Sequence, residues 1–275
     1  MAEHLQRHEL PAGHLDAAKM PGHWLLARLG KRVLRPGGRE LTRRMLDGLD
    51  VGNSDDVVEF APGLGETARW TLSRNPASYT AVDRDAAAAE LVRRTFTGAN
   101  RRCVIASAEA TGLEDASASV VYGEAMLSMQ TPARKTAIVR EAFRVLRPGG
   151  RYAIHELCLG PGNVPEETRD AVRRDLSGTV HVGVRPLTVT EWRELLESEG
   201  FTVEDPMTAP MHLLEPARMI QDEGVGGAAR IAWNMVRDRE ARGRVLEMRR
   251  SFRRHADHLC AISLIARRPS SDSAE

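Results

Sequence analysis

Gly63-Leu64-Gly65-Glu66-Thr67-Ala68 has glycine at its first and third positions and a small residue at its sixth. This spacing lets the backbone come close to a ligand between a strand and a helix. Amides exposed at the helix start favour an anionic group there. A dinucleotide would rest its pyrophosphate on such a turn and pass a ribose to an acid about 20 residues on, and Asp83, closing "SYTAVD", stands at that distance. Asp83 therefore does not discriminate between ligands, but Glu59 does. A carboxylate ending the preceding apolar run "DVVEF" repels a diphosphate and suits a ligand with an ammonium and a sulfonium centre. Pro62 withdraws one amide that a phosphate cradle would use.

S-adenosylmethionine is such a cation, so methyl transfer to a small-molecule acceptor is the first reading. An NAD(P)-dependent oxidoreductase and a non-catalytic cofactor-binding protein are the alternatives. Methyl transfer asks the protein mainly to hold an acceptor in line and exclude water, with a base only where the acceptor must lose a proton. His155, in "RYAIHEL", is either that base or a hydrogen-bonded structural histidine. Glu156 points to the opposite strand face, so only one of the pair faces the acceptor. Met126 and Met129, in "YGEAMLSM", line an apolar acceptor pocket or pack on the following helix. His181, in "TVHVGV", is a second base candidate, and His23 and Trp24 cover the acceptor or pack against the core.

Positioning these residues requires a sheet. From about Asp55 to Arg151 short apolar runs alternate with amphipathic ones: "DVVEF", "SYTAVD", "RRCVIA", "SVVYG" and "RYAIHEL" as strands, with "GETARWTLSRN", "RDAAAAELVRRTF" and "RKTAIVREAFRVL" as helices. Nearly all-apolar strands separated by helices imply a parallel sheet covered on both faces. The expected fold is α/β, a doubly wound Rossmann-like sheet, mostly parallel with an antiparallel last strand "LCAISLIARR". Ligands of such sheets lie at the carboxyl ends of the strands. Residues 1–50 read as an N-terminal helical lid, with helices "GHWLLARLGKRVL" and "RELTRRMLDGLD". A methyltransferase domain follows over 51–268, carrying a cap insertion near 160–187 and a helical insertion near 214–256, with one long or broken helix from Gly227 to His255. Residues 269–275 read as a disordered tail. The heptapeptide "RVLRPGG" occurs at 32–38 and 144–150, and each copy reads as a helix end stopped by Pro and Gly.

Bulk properties narrow the partners. Lys+Arg 39 against Asp+Glu 38 gives a net charge of +1, which supplies no general attraction for nucleic acid or an anionic membrane. The basic stretch "RDREARGRVLEMRRSFRR" reads as a solvated helix face. Only Lys19, Lys31 and Lys135 are lysines, the arginine bias of a GC-rich bacterial genome. Cys103, Cys158 and Cys260 are too few and too scattered for a disulfide framework or a Cys-x-x-Cys metal site. A charged start and no long apolar run suggest a cytoplasmic protein, and a homodimer stays open.

Together these residues resemble the class I S-adenosylmethionine-dependent methyltransferases, especially small-molecule enzymes like those of ubiquinone and menaquinone biosynthesis, over about residues 55–205. The family's acid-x-Gly-x-Gly-x-Gly element corresponds to Glu59, Ala61, Gly63 and Gly65, with Ala61 replacing the first glycine. The resemblance implies that Asp83, followed by Arg84, holds the ribose hydroxyls. It also implies that Ser107 or Ala108 stands where an acid facing the adenine amine is expected, with Glu109 as a substitute, and that Glu124 lies beside the cofactor and the chemistry. "RVLRPGGRYAIHEL" is similar to the family's element before its fifth strand, and "TEWRELLESEGF" to the helix before its sixth.

Overall fold

A computed structural model describes residues 10–96, 98–160 and 162–270; most of the expected C-terminal tail lies outside them. Strands β1 (Asp56–Phe60), β2 (Ser78–Asp83), β3 (Arg101–Ile105), β4 (Ala118–Glu124) and β5 (Leu146–Leu159) pair in parallel. β9 (Leu259–Arg267) runs antiparallel between β5 and β7 (Thr202–Val203), in the order β3-β2-β1-β4-β5-β9-β7. Order reverses between β1 and β4, which opens the crevice where ligands of such sheets bind. Two short strands the sequence reading lacked, β6 (Leu187–Thr188) and β8 (Met207–Pro210), pair with β5 and β9.

Each face of the sheet carries its own core. Val121, Tyr152, Ile154 and Leu264 pack with Ile138 and Val145 of α5 (Pro132–Val145) and Trp192 of α7 (Val189–Ser198). Val57, Tyr79, Ala81 and Tyr122 pack with Met45 and Leu49 of α2 (Gly38–Leu49) and Ala68 of α3 (Glu66–Ser73). α4 (Ala86–Arg93) starts where Asp85 accepts the amides of Ala87 and Ala88, a side-chain cap for otherwise orphaned donors. Cys158 and Cys260 face one another across β5 and β9 as free thiols.

A separate helical layer packs Leu25 and Leu26 of α1 (Gly22–Arg28) with Ile231 of α8 (Pro216–Arg237) and Val245 and Met248 of α9 (Arg239–Arg254). Val172 and Leu176 of α6 (Glu166–Val180) pack beside it with Leu157, Leu159 and Met211. The expected helix from Gly227 instead begins at Pro216, bends at Gly224 (φ 73°, ψ 167°) and breaks at Asp238.

The first lead-in helix is shorter than its periodicity suggests. It stops at Arg28, followed by Gly30 at φ 99°, and the chain to Gly37 crosses the molecule as a strap. Gly30 ends it locally, its amide on the Ala27 carbonyl (2.9 Å) and that of Lys31 on the Leu26 carbonyl (3.0 Å), and acids distant in sequence fasten the strap beyond. Glu223 Oε1 accepts the amides of Arg32 (2.9 Å) and Val33 (2.8 Å), and Asp222 Oδ1 accepts that of Arg39 (3.0 Å). Buried carboxylates thus satisfy donors that a continuing helix would have given to carbonyls. The first "RVLRPGG" is therefore not a helix end, whereas the second leaves α5 at Val145 and enters β5.

Candidate active site

A cavity of about 540 Å³ opens at the carboxyl ends of the strands, within the range of small-molecule and cofactor sites. Along the sheet from β3 towards β5, its wall passes from Ser107 and Ala108 to Asp83 and Arg84, then Glu59, Ala61 and Gly63, then Glu124 and Met126. Beyond β5 it is apolar: Leu157, Val182, Met211, Met248 and Phe252. Trp24, Leu34, Arg35 and Pro36 supply wall from the N-terminal segment.

The turn after β1 is built for close approach. Ala61, Gly63 and Gly65 all have positive φ, at 51°, 56° and 71°. A Cβ on Gly63 would meet nothing within 4 Å, whereas one on Gly65 would lie 2.8 Å from Thr95 Cγ2. Gly63 thus keeps open space for a ligand, and Gly65 lets the turn pack on the end of α4. Ala61 is a non-glycine residue in the left-handed region, at a cost of roughly 1 kcal/mol. Asp83 is buried, accepts the Asp85 amide at 2.9 Å and forms part of the wall; burial pushes its carboxyl up.

Glu59 also reaches the wall, though not as the free strand-end charge of the sequence reading. It is 3% exposed, and its Oε2 accepts the hydroxyls of Tyr122 (2.6 Å) and Tyr79. Burial pushes its carboxyl up to about 7, so near neutrality it is shared between charged and neutral forms. An arriving cation would complete the charge.

Glu124 and His155 are placed differently from the expected catalytic pair. Glu124 Oε1 accepts from Thr42 (2.6 Å), meets His155 Nδ1 at 2.7 Å and lies 3.2 Å from Arg35 Nε. Its Oε2 accepts the Thr67 hydroxyl. Arg35, His155 and these hydroxyls overcome the burial that opposes its charge and hold its carboxyl down to about 2. His155 is fully buried, does not line the cavity, and places Nε2 2.5 Å from the Pro36 carbonyl. Both ring nitrogens are engaged by oxygen partners in the interior, which leaves neither free to meet an acceptor. The correction is a structural role: His155 ties β5 to β4 and to the strap.

Glu156, not His155, takes the cavity side. It accepts the amides of Met126 (2.9 Å), Leu127 (2.7 Å) and Ser128 (2.9 Å) and the Ser128 hydroxyl (2.7 Å). These bonds fix the single turn Leu127–Met129 after β4 and hold Met126 and Met129 in the wall. Trp24 lines the cavity and also packs on the cluster containing Leu10, Ala27 and Leu91. His23 lines it too, its imidazole pushed down to about 4 by burial and by Arg84.

Two expected contacts fall outside the wall. Glu109 turns to the surface and pairs with Arg134 at 2.6 Å, leaving Ser107 and Ala108 facing the cavity. His181 caps α6 at φ 57° as an exposed residue while its neighbours Val180 and Val182 line the cavity. Arg35, Leu34, Pro36, Met211, Met248 and Phe252 were absent from the sequence reading. They reach the cavity through the strap and the helical layer, which no local spacing announces.

Residues 57–150 match the family model described as a methyltransferase domain. An uncharacterized protein of Haemophilus influenzae is 32% identical over 247 residues, covering 88% of this chain and 96% of its own length. Within residues 57–150 the chain carries a methyltransferase domain, on the fold of the class I S-adenosylmethionine-dependent methyltransferases. The fold is shared with phosphoethanolamine N-methyltransferase 2 of Haemonchus contortus, solved with phosphomonomethylethanolamine and S-adenosylhomocysteine. That pair aligns at TM-score 0.66 and 15% identity, over 91% of this chain and 57% of that one. It is shared equally with the [4+2]-cyclase SpnF, at TM-score 0.67 and 16% identity over 90% and 93% of the two chains. One architecture thus carries different reactions, and the site has to decide between them. Nothing in these likenesses singles out the ubiquinone-type enzymes.

Proposed function

We propose that this methyltransferase moves a methyl group from S-adenosylmethionine to an apolar small molecule whose nucleophilic atom needs no deprotonation by the strand-end residues. The observation that carries this reading is the state of those residues. Glu124 is saturated by Thr42, Thr67, Arg35 and His155; Glu156 by four donors; and His155 by two oxygen partners. The residues fit the cofactor: Gly63 leaves open space, Asp83 offers a buried carboxylate for ribose hydroxyls, Glu59 can face an ammonium, and Ser107 and Ala108 edge the nucleoside end. When bound, S-adenosylmethionine supplies an electrophilic methyl on a sulfonium.

The chain's own part is positioning and drying. Positioning alone supplies several kcal/mol, up to about 7 to 11 in the best intramolecular cases. Leu157, Val182, Met211, Met248 and Phe252 offer an acceptor apolar surface, and burying about 100 Å² of acceptor there would contribute about 2.5 kcal/mol. Residues 10–50, those of 162–187 and those near 214–256 form the cover over it. No helix among the described residues is long and apolar enough to cross a membrane, and a cytoplasmic setting without a nucleic-acid partner is part of this reading.

The test is a binding and turnover panel. Calorimetry should show S-adenosylhomocysteine binding and no NADH binding. Turnover should favour apolar acceptors with amine, thiol, or acidic enol or phenol groups over simple alcohols. NADH binding with no S-adenosylhomocysteine binding would overturn the cofactor assignment, and a preference for unactivated alcohols would overturn the acceptor class.

A further inference from the structure

Arg35 is 93% removed from solvent yet incompletely partnered. Its Nε donates to Thr42 Oγ1 at 2.6 Å and lies 3.2 Å from Glu124 Oε1, while its Nη2 has no hydrogen-bond partner. A buried guanidinium nitrogen left unpaired costs free energy that a complementary acceptor would restore. Glu124 cannot serve as a full counterion, since it also receives Thr42, Thr67 and His155. Arg35 belongs to the same cavity wall as Glu59. A forked cation and an acid with an unfilled charge demand thus share one wall, the complement of an α-amino acid zwitterion.

We propose that Arg35 recognises a carboxylate in this cavity, that of the amino-acid end of S-adenosylmethionine, while Glu59 receives its ammonium. The inference rests on the cofactor assignment made above. It also gives the strap a function. Arg35 is carried on residues 29–37, which Glu223 and Asp222 fasten through the amides of Arg32, Val33 and Arg39. A helix continued past Arg28 would carry Arg35 elsewhere. The acids of α8 are therefore positioning residues for cofactor recognition from outside the cavity wall.

The experiment compares two ligands on the intact protein by calorimetry: S-adenosylhomocysteine, and 5′-methylthioadenosine, which keeps the nucleoside and sulfur and lacks the amino-acid end. Arg35→Met should weaken S-adenosylhomocysteine binding 10- to 100-fold and change 5′-methylthioadenosine binding less than 3-fold, with Arg35→Lys in between. Glu223→Gln should reproduce the selective loss more weakly. Should Arg35→Met fold poorly, wild type alone still decides. Decarboxylated S-adenosylhomocysteine should bind at least 10-fold more weakly than the intact molecule, and equal binding overturns the proposal. An Arg35→Met protein that keeps wild-type affinity for S-adenosylhomocysteine, or loses both ligands equally, overturns it as well. Wild type that binds neither ligand refutes the cofactor assignment instead.

Discussion

Glu124 Oε1 and His155 Nδ1 lie 2.7 Å apart at the ends of adjacent parallel strands, and the other imidazole nitrogen is taken by the Pro36 carbonyl at 2.5 Å. The strap, β4 and β5 are thereby joined through one imidazole. Removing it leaves a buried carboxylate and a buried carbonyl each short of a partner, a loss of about 1 to 3 kcal/mol for a group left unsatisfied. His155→Ala should therefore lower the melting temperature markedly. The pH–rate profile of the protein that still folds should keep its wild-type shape, and loss of one limb of that profile would restore His155 to the chemistry.

Glu59 ties stability to pH in an unusual direction. Its folded carboxyl titrates at about 7 against 4.5 for the ordinary group, so between these values the native state holds a proton that the unfolded chain has lost. Its contribution favours folding at low pH and is lost as pH rises from about 4.5 to 7, worth about 2 to 3 kcal/mol. Glu59→Gln should make the ligand-free protein more stable than wild type at pH 8 and weaken S-adenosylhomocysteine binding at least 10-fold. Chemical denaturation at pH 5 and 8 reads the first effect and calorimetry the second.

The same group predicts proton release. A ligand ammonium beside Glu59 favours the carboxylate, so cofactor binding near pH 7 should expel up to one proton and tighten as pH rises through that range. Calorimetry in buffers of different ionisation enthalpy measures it, and a signal independent of buffer would contradict the contact.

Glu124 acts in the opposite sense. Its carboxyl is held down to about 2, so its contribution is present above about 4.5 and is lost as pH falls towards 2. Glu124→Gln should destabilise the protein at pH 7 by about 2 to 4 kcal/mol and flatten the acid limb of its stability curve. An acid limb unchanged in the variant would remove Glu124 from this role.

Ala61 offers a gain. At φ 51° it occupies a conformation that glycine adopts without strain, so Ala61→Gly should raise stability by up to about 0.6 kcal/mol, the relieved strain of roughly 1 kcal/mol less glycine's unfolded-state entropy of about 0.4 to 1 kcal/mol. Thermal denaturation checks the sign.

Asp83→Ala should weaken S-adenosylhomocysteine binding by about 1 to 3 kcal/mol, the scale of a hydrogen bond to a charged group. Unchanged affinity in a folded variant would take Asp83 out of the site.

Local pattern carried the sheet and one edge of the cavity. "DVVEF" and "SYTAVD" coincide with β1 and β2 because unbroken apolar runs bounded by turn residues fit a strand covered on both faces. Gly63, Gly65 and Asp83 were legible because they lie within one βαβ unit, where spacing along the chain fixes position in space. The expected base and the acceptor wall were not. His155 and Glu156 are neighbours, and which of them faces the cavity depends on the layers packed against β5. His181 lies between Val180 and Val182, which line the cavity, but a left-handed cap at the end of α6 turned it away.

The two copies of "RVLRPGG" divide what the chain determines locally from what it does not. Identical residues give identical local preferences, a break at Pro and freedom at Gly, but only the second copy ends a helix. Yet Arg147 pairs with Asp56 at 2.7 Å where β5 begins, while Arg35 is buried in the cavity wall. The difference comes from Asp222 and Glu223, about 190 residues away in sequence, which take the strap's amides and hold it over the strand ends. Spacing along the sequence determined the individual strands and the glycine turn, because each is set within one βαβ unit. The partners of Arg35, Glu124 and His155 were decided only where distant segments met, since a buried charge takes its state from whatever donors and acceptors the assembled chain brings to it.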